Sequence, residues 1–246
     1  MVGQPVYLYG DDPPVVPAPQ APLLVSLQLM DAAFPGDGCS PAYEWDCLVR
    51  QDRMGSAGPG PLLHALLRHG VGPSDATALA LAHHAAAQRC WGEVAEIDER
   101  LHAAKLGREQ RAAATRTGRR MLGLARSVFP CDAVEEFAAL VARGEAPGNR
   151  AVVSAVVQAG MGVPRQQAVS AELFAFCAAF AAAARRTGAV GDHGAAQLLL
   201  RGAAPVIEEV TADALRRELA DLGGCVPAAE TPWGRHGRAG AQTPAG

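Results

Sequence analysis

LFAFCAAFAAAA, residues 173–184, contains no polar side chain. Wound at 3.6 residues per turn, such a run presents apolar groups in every direction, which predicts a helix at the centre of a bundle. The whole chain of 246 residues is 49% hydrophobic but 5% aromatic, and alanine supplies much of the apolar count. Alanine is the strongest helix former and lets helices approach closely. No segment alternates apolar and polar positions with β-branched residues, so no strand is predicted. The fold class that follows is all-α: a single compact multi-helix bundle. Twelve apolar residues also fall short of the roughly 20 that cross a bilayer, so no membrane span is predicted.

Working outward, Pro164 stands at the start of this helix, and Arg185, Arg186 and Gly188 end it. Upstream, helical spacing predicts Trp91 to Ala104 and Arg108 to Val128, the latter closed by Phe129-Pro130. Asp132 to Arg143 and Arg150 to Ala159 follow, and Gly160 stops the second of these. PLLHALLRHG reads as a short helix stopped by Gly70, with Ser74 as N-cap of another reaching Arg89. Downstream, helices are predicted for Asp192 to Val210 and for Thr211 to Leu222. At the front, LLVSLQLMDAAF from Leu23 is helical until Pro35, Gly36 and Gly38, and a further helix covers Ala42 to Arg53. Residues 1–22 hold six prolines and read as an extended, disordered arm; residues 23–222 form the helical domain; residues 223–246 are a flexible tail.

Net charge is only −3, but its distribution is uneven. Residues 1–60 carry seven acids (Asp11, Asp12, Asp31, Asp37, Glu44, Asp46, Asp52) against Arg50 and Arg53. Residues 99–126 carry eight bases against Glu99 and Glu109. That basic stretch is either a solvated helix face or a docking face for an acidic partner. No aromatic residues interleave with the arginines, which argues against nucleic acid. The six cysteines are scattered without a CxxC pair, and no basic-then-apolar leader is visible. Reduced thiols and a cytoplasmic location are expected.

Enzyme chemistry finds little support. In MDAAFPGDGCSPAYEWD, residues 30–46, the sequence around Ser40 loosely echoes a nucleophile elbow. That motif needs a preceding strand, however, and Ser40 with Pro41 fits a helix N-terminus better. His83 and His84 are adjacent, so on a helix they diverge by about 100° and share no ligand face. Neither H-E-x-x-H nor a paired E-x-x-H pattern occurs. The only lysine, Lys105, lacks the glycine spacing of a phosphate-binding loop. No directly bound cofactor or metal is expected.

LLVSLQLMDAAFPGDGCS resembles the opening of the UreF-type urease accessory proteins, which typically read LLQLADSAFPTGGFSHS. Trp91, Asp98, Leu101, Ala104, Lys105, Glu109, Arg111, Thr115, Gly118, Arg119 and Leu122 follow that family's W…D…L…A.K…E.R…S…GR..L spacing. RRTGAVGDHGAAQLLL from Arg185 parallels its R-L-x-P-L-G-Q-T-D-G-Q-x-L-L. The chain departs from the pattern at Asp37 and Cys39 in the G-G-F loop, at Asp192 and Ala196, and after Arg235-His236. The resemblance implies an all-helical, often dimeric, cytosolic protein that is not itself an enzyme. It would join a UreD-type scaffold (UreH in some bacteria) to a UreG-type GTPase for GTP-dependent nickel insertion into apo-urease. Nickel and GTP would be handled by the partner complex. The candidate partner contacts are Asp37, Tyr43, Arg116, Arg119, Arg120, Arg186, Asp192, Arg235 and His236. Two other readings are a haem-oxygenase-like helical enzyme with a histidine axial ligand, and a helical ligand-sensing regulator.

Overall fold

A computed structural model describes residues 21–31, 34, 58–105 and 107–224. The helix expected at 42–53 lies outside the described residues, as do Asp37, Tyr43, Arg235 and His236. Every element among the described residues is helical. In chain order they are α1 (Pro22–Leu29), α2 (Pro59–Ala65), α3 (Thr77–Ala87), α4 (Trp91–Ala104), α5 (Arg108–Val128), α6 (Asp132–Arg143), α7 (Arg150–Gly160), α8 (Arg165–Arg186) and α9 (His193–Ala214). A π-helical segment, Leu66–Ala76, joins α2 to α3 without a break, and a 3-10 turn, Leu219–Asp221, follows α9.

The middle of the bundle is α7, not α8. Every residue from Ala151 to Gln158 is buried, so this helix is covered on all sides. Its valines (Val152, Val153, Val156, Val157) are fully enclosed, each contributing about 2 kcal/mol by burial. Around it stand α1, α3, α4, α5, α6 and α8. The alanine-rich α8 buries Leu173, Cys177, Phe180 and Ala184 on one side, while Phe174 is 53% exposed. It is long and apolar enough to cross a membrane by length and composition, and half of its most apolar window is buried within the bundle, much of it against α9. The remaining alanines explain the difference from expectation. A methyl group costs little to leave in water, whereas four β-branched valines on α7 need complete cover.

Two other boundaries differ from the sequence reading. Gly70 does not stop a helix and Ser74 does not cap one; both lie inside the continuous turn from Pro59 to Ala87. Ser74 Oγ donates to the Gly70 carbonyl at 2.7 Å, and Thr77 Oγ1 to the Gly72 carbonyl at 2.9 Å. Pro73 has no N–H and would collide with the carbonyl four residues back in an α-helix; the wider π-helical path relieves that conflict. Likewise α9 runs through Val210 and Thr211 to Ala214 instead of breaking between them. Thr211 is buried and shares a hydrogen bond of 3.1 Å with Ser170 of α8, so its hydroxyl is used sideways and not as a cap.

Candidate partner-binding surface

The basic helix α5 lies at the edge of the bundle, packed on α6 and α7. Its buried residues are Thr117, Gly118, Met121, Leu122 and Ala125, from the middle of the helix onward. None of residues 108–116 is fully buried, and Arg108 and Arg116 stand exposed. Other members of the basic stretch are engaged by neighbouring elements. Lys105 Nζ binds Asp75 of the π-helical segment at 2.9 Å and 3.0 Å. Arg111 donates to the Lys105 carbonyl. Arg119 Nε donates to the Pro147 carbonyl at 2.9 Å, and Arg126 donates to Glu135 of α6 through Nε and Nη2.

Arg119 thus acts on the loop between α6 and α7, and so does its neighbour. A Cβ on Gly118 would meet the Gly148 carbonyl, and would stand 2.6 Å from the Arg150 nitrogen. Only glycine lets the helix and that loop approach this closely. From the other side, Asp98 of α4 accepts N–H bonds from Gly148 (2.6 Å), Asn149 (3.0 Å) and the Asn149 side chain (2.8 Å). Asp98 is fully buried. Burial pushes its carboxyl above the usual range, although those three donors pull the other way. Asp75 behaves oppositely: burial raises its carboxyl, but Lys105, Ser74 and Arg150 together outweigh it and hold it low.

A seam of polar groups crosses the apolar core. Arg150, Ser154 and Gln158 fall at four-residue steps on α7, hence on one face. Arg150 and Ser154 both bond Glu172 of α8, the latter at 3.2 Å; Gln158 donates to Ser154 at 3.1 Å. Ser26 of α1 donates to Gln158 at 3.0 Å and accepts from Gln167 of α8 at 3.2 Å. Glu172 is 4% exposed and is paired with Arg150, whose charge offsets the cost of burying a carboxylate. None of these residues stood out in the sequence; the available signal was Ser154 and Gln158 interrupting an otherwise apolar helix.

At the far end of the bundle, Asp192 caps α9, accepting the Ala195 N–H at 2.7 Å. Arg186 is exposed at the last turn of α8. Of the expected contact residues, Arg116, Arg119 and Arg120 belong to α5, while Arg186 and Asp192 flank the α8–α9 turn. The histidine buried among the described residues, His83, shares a ring-nitrogen hydrogen bond of 2.8 Å with the Val163 carbonyl, and burial lowers its pKa. Burial pushes the Cys177 thiol up to about 12, which makes it inert. Among the described residues, no three His, Cys, Asp or Glu side chains are grouped to hold a metal.

The UreF family model matches residues 60–203, from the start of α2 into α9. The chain belongs to the UreF family. The urease accessory protein UreF of Agrobacterium fabrum (strain C58) is 32% identical over 222 residues, covering 88% of this chain and 92% of that one. The same-named protein of Arthrobacter sp. (strain FB24) is 29% identical over 212 residues, 86% and 91% of the two chains. That of Bacillus sp. (strain TB-90) is 25% identical over 217 residues, 88% and 95%. Set on the structure, the residues that carry the UreF spacing serve the scaffold. Asp98, Gly118 and Arg119 hold the 144–149 loop, Lys105 and Arg111 fix the α4–α5 corner, and Leu101 and Leu122 are core.

Proposed function

We propose that this UreF-family chain is a non-enzymatic adaptor. It joins a UreD-type scaffold to a UreG-type GTPase and supports GTP-dependent nickel insertion into apo-urease, working in the cytoplasm as a homodimer. Nickel and nucleotide are held by the partners. The observation that carries this reading is the family match over residues 60–203, together with relatives named urease accessory protein UreF that align over most of both chains. The structure supports it in one further respect: the chain's single lysine is committed to Asp75 and is not presented for a phosphate. An adaptor of this kind acts through differential binding, favouring one nucleotide state of the GTPase over another by no more than the difference in its affinities. The exposed arginines of α5 and the Arg186–Asp192 turn are the proposed contact regions, with Asp37, Tyr43, Arg235 and His236 as further candidates.

The test is co-purification with the UreD-type and UreG-type proteins of the same organism, followed by urease activation with nickel and GTP. A complex that supports activation establishes the adaptor. Folded, helical protein that forms no complex overturns it. A version ending at Leu222, run alongside, shows whether the tail contributes to docking.

A further inference from the structure

The π-helical segment between α2 and α3 is 11 residues long, whereas π-helical geometry usually occurs as single-turn bulges and often marks a functional site. Its neighbours show what holds it open. Gly72 faces α9 so closely that a Cβ there would stand 2.7 Å from Val210 Cγ1. Arg68 forms a two-pronged ion pair with Glu209 of α9, at 2.9 Å and 2.7 Å, and Asp75 is tied to Lys105. The end of the described chain lies over the same segment. Gly223 donates its N–H to the Pro73 carbonyl at 2.9 Å. A Cβ on Gly224 would meet the Gly70 carbonyl and come within 2.8 Å of the His69 carbonyl. His69 is four residues before Pro73, so its carbonyl is the one an α-helix would have bonded to a residue that has no N–H. The strap thus crosses the turn at the place where proline has removed a backbone donor.

We propose that Leu222–Gly224 is a latch that stabilises the π-helical path of Leu66–Ala76, so that the C-terminal tail and this segment are one coupled unit. A pull that lifts Gly223 from Pro73 removes their hydrogen bond and loosens the π-helical turn, with its ties to α4 and α9. The latch itself follows from backbone geometry. Only its use, with a partner gripping the tail, rests on the adaptor reading.

Amide hydrogen exchange on the full-length chain tests it, compared with Gly224→Val and with a version ending at Leu222. The valine cannot sit against the two carbonyls, and the shortened chain lacks the Gly223 donor. Both are expected to speed exchange at residues 66–78 by about tenfold or more, with α7 amides unchanged, since local opening is read segment by segment. Unchanged exchange at 66–78 in the shortened chain overturns the latch. A uniform increase that includes α7 also overturns it, because the strap would then be one more contribution to global stability. Failure of the adaptor reading would appear separately, as absence of a complex with exchange rates that still respond to the strap.

Discussion

Asp98 sits where no solvent reaches it, and three N–H groups from one loop converge on its two oxygens. Removing the acceptor leaves those donors buried without partners, each costing about 1–3 kcal/mol. Asp98→Ala is therefore expected to lower stability by about 3 kcal/mol in urea unfolding; a loss under about 1 kcal/mol would mean the loop is held by other contacts. His83 gives a prediction in pH. Burial lowers its folded pKa and the positive charge of Arg165 adds to this, while the bond to Val163 opposes it. The unfolded chain then takes up a proton near pH 6.5 that the folded chain refuses. Stability from this group is present above that pH and is lost as pH falls from about 6.5 through the folded pKa. The melting temperature of the native chain should drop more between pH 7.5 and 5.5 than that of His83→Gln. Equal drops would remove His83 from the acid response.

At the scale of elements, the contact between α5 and the 144–149 loop is the tightest joint described. Gly118→Ala gains about 1 kcal/mol in helix propensity but drives a methyl group into loop backbone on both sides of Asn149. Backbone cannot swing aside as a side chain can, so a net loss of about 2 kcal/mol or more is expected in denaturant unfolding. A stabilised variant would show that the loop is free to retreat. Helices α4, α5 and α6 were legible because their ends are written locally, in Phe129-Pro130, in Gly144 at positive φ and in the breaks before Trp91 and Arg108. Gly70 and Ser74 are equally good local signals, yet they misled. Packing against α9 and the hydroxyl bonds of Ser74 and Thr77 keep the turn going through them. The centre of the bundle was also misplaced, since composition says what a helix can bury, whereas the arrangement of its neighbours says what it does bury. The arginines that hold neighbouring backbone were illegible for the same reason: Arg119 and Arg116 look alike in sequence, and only the position of Pro147 separates them.

For the molecule as a whole, that separation decides how docking is tested. Arg108→Glu with Arg116→Glu reverses charge on exposed positions and leaves the loop-holding Arg119 in place. If α5 faces an acidic partner, association should slow by about tenfold at low salt, and the deficit should shrink toward 0.5 M salt, roughly, as charges are screened. An unchanged rate would exclude this face and leave the α8–α9 turn. The polar seam has a different consequence, for how the molecule is made. Ser26 finds its partner Gln158 only 132 residues later in the chain. At about 5–20 residues per second on the ribosome, α1 emerges and then waits roughly seven to 26 seconds for its seat to be synthesised. Throughout that interval Val25 and Leu29, the side it will bury, are bare along with Leu23, Leu24 and Leu27. The apolar side of α1 stays open to unwanted contacts until α7 and α8 have left the exit tunnel.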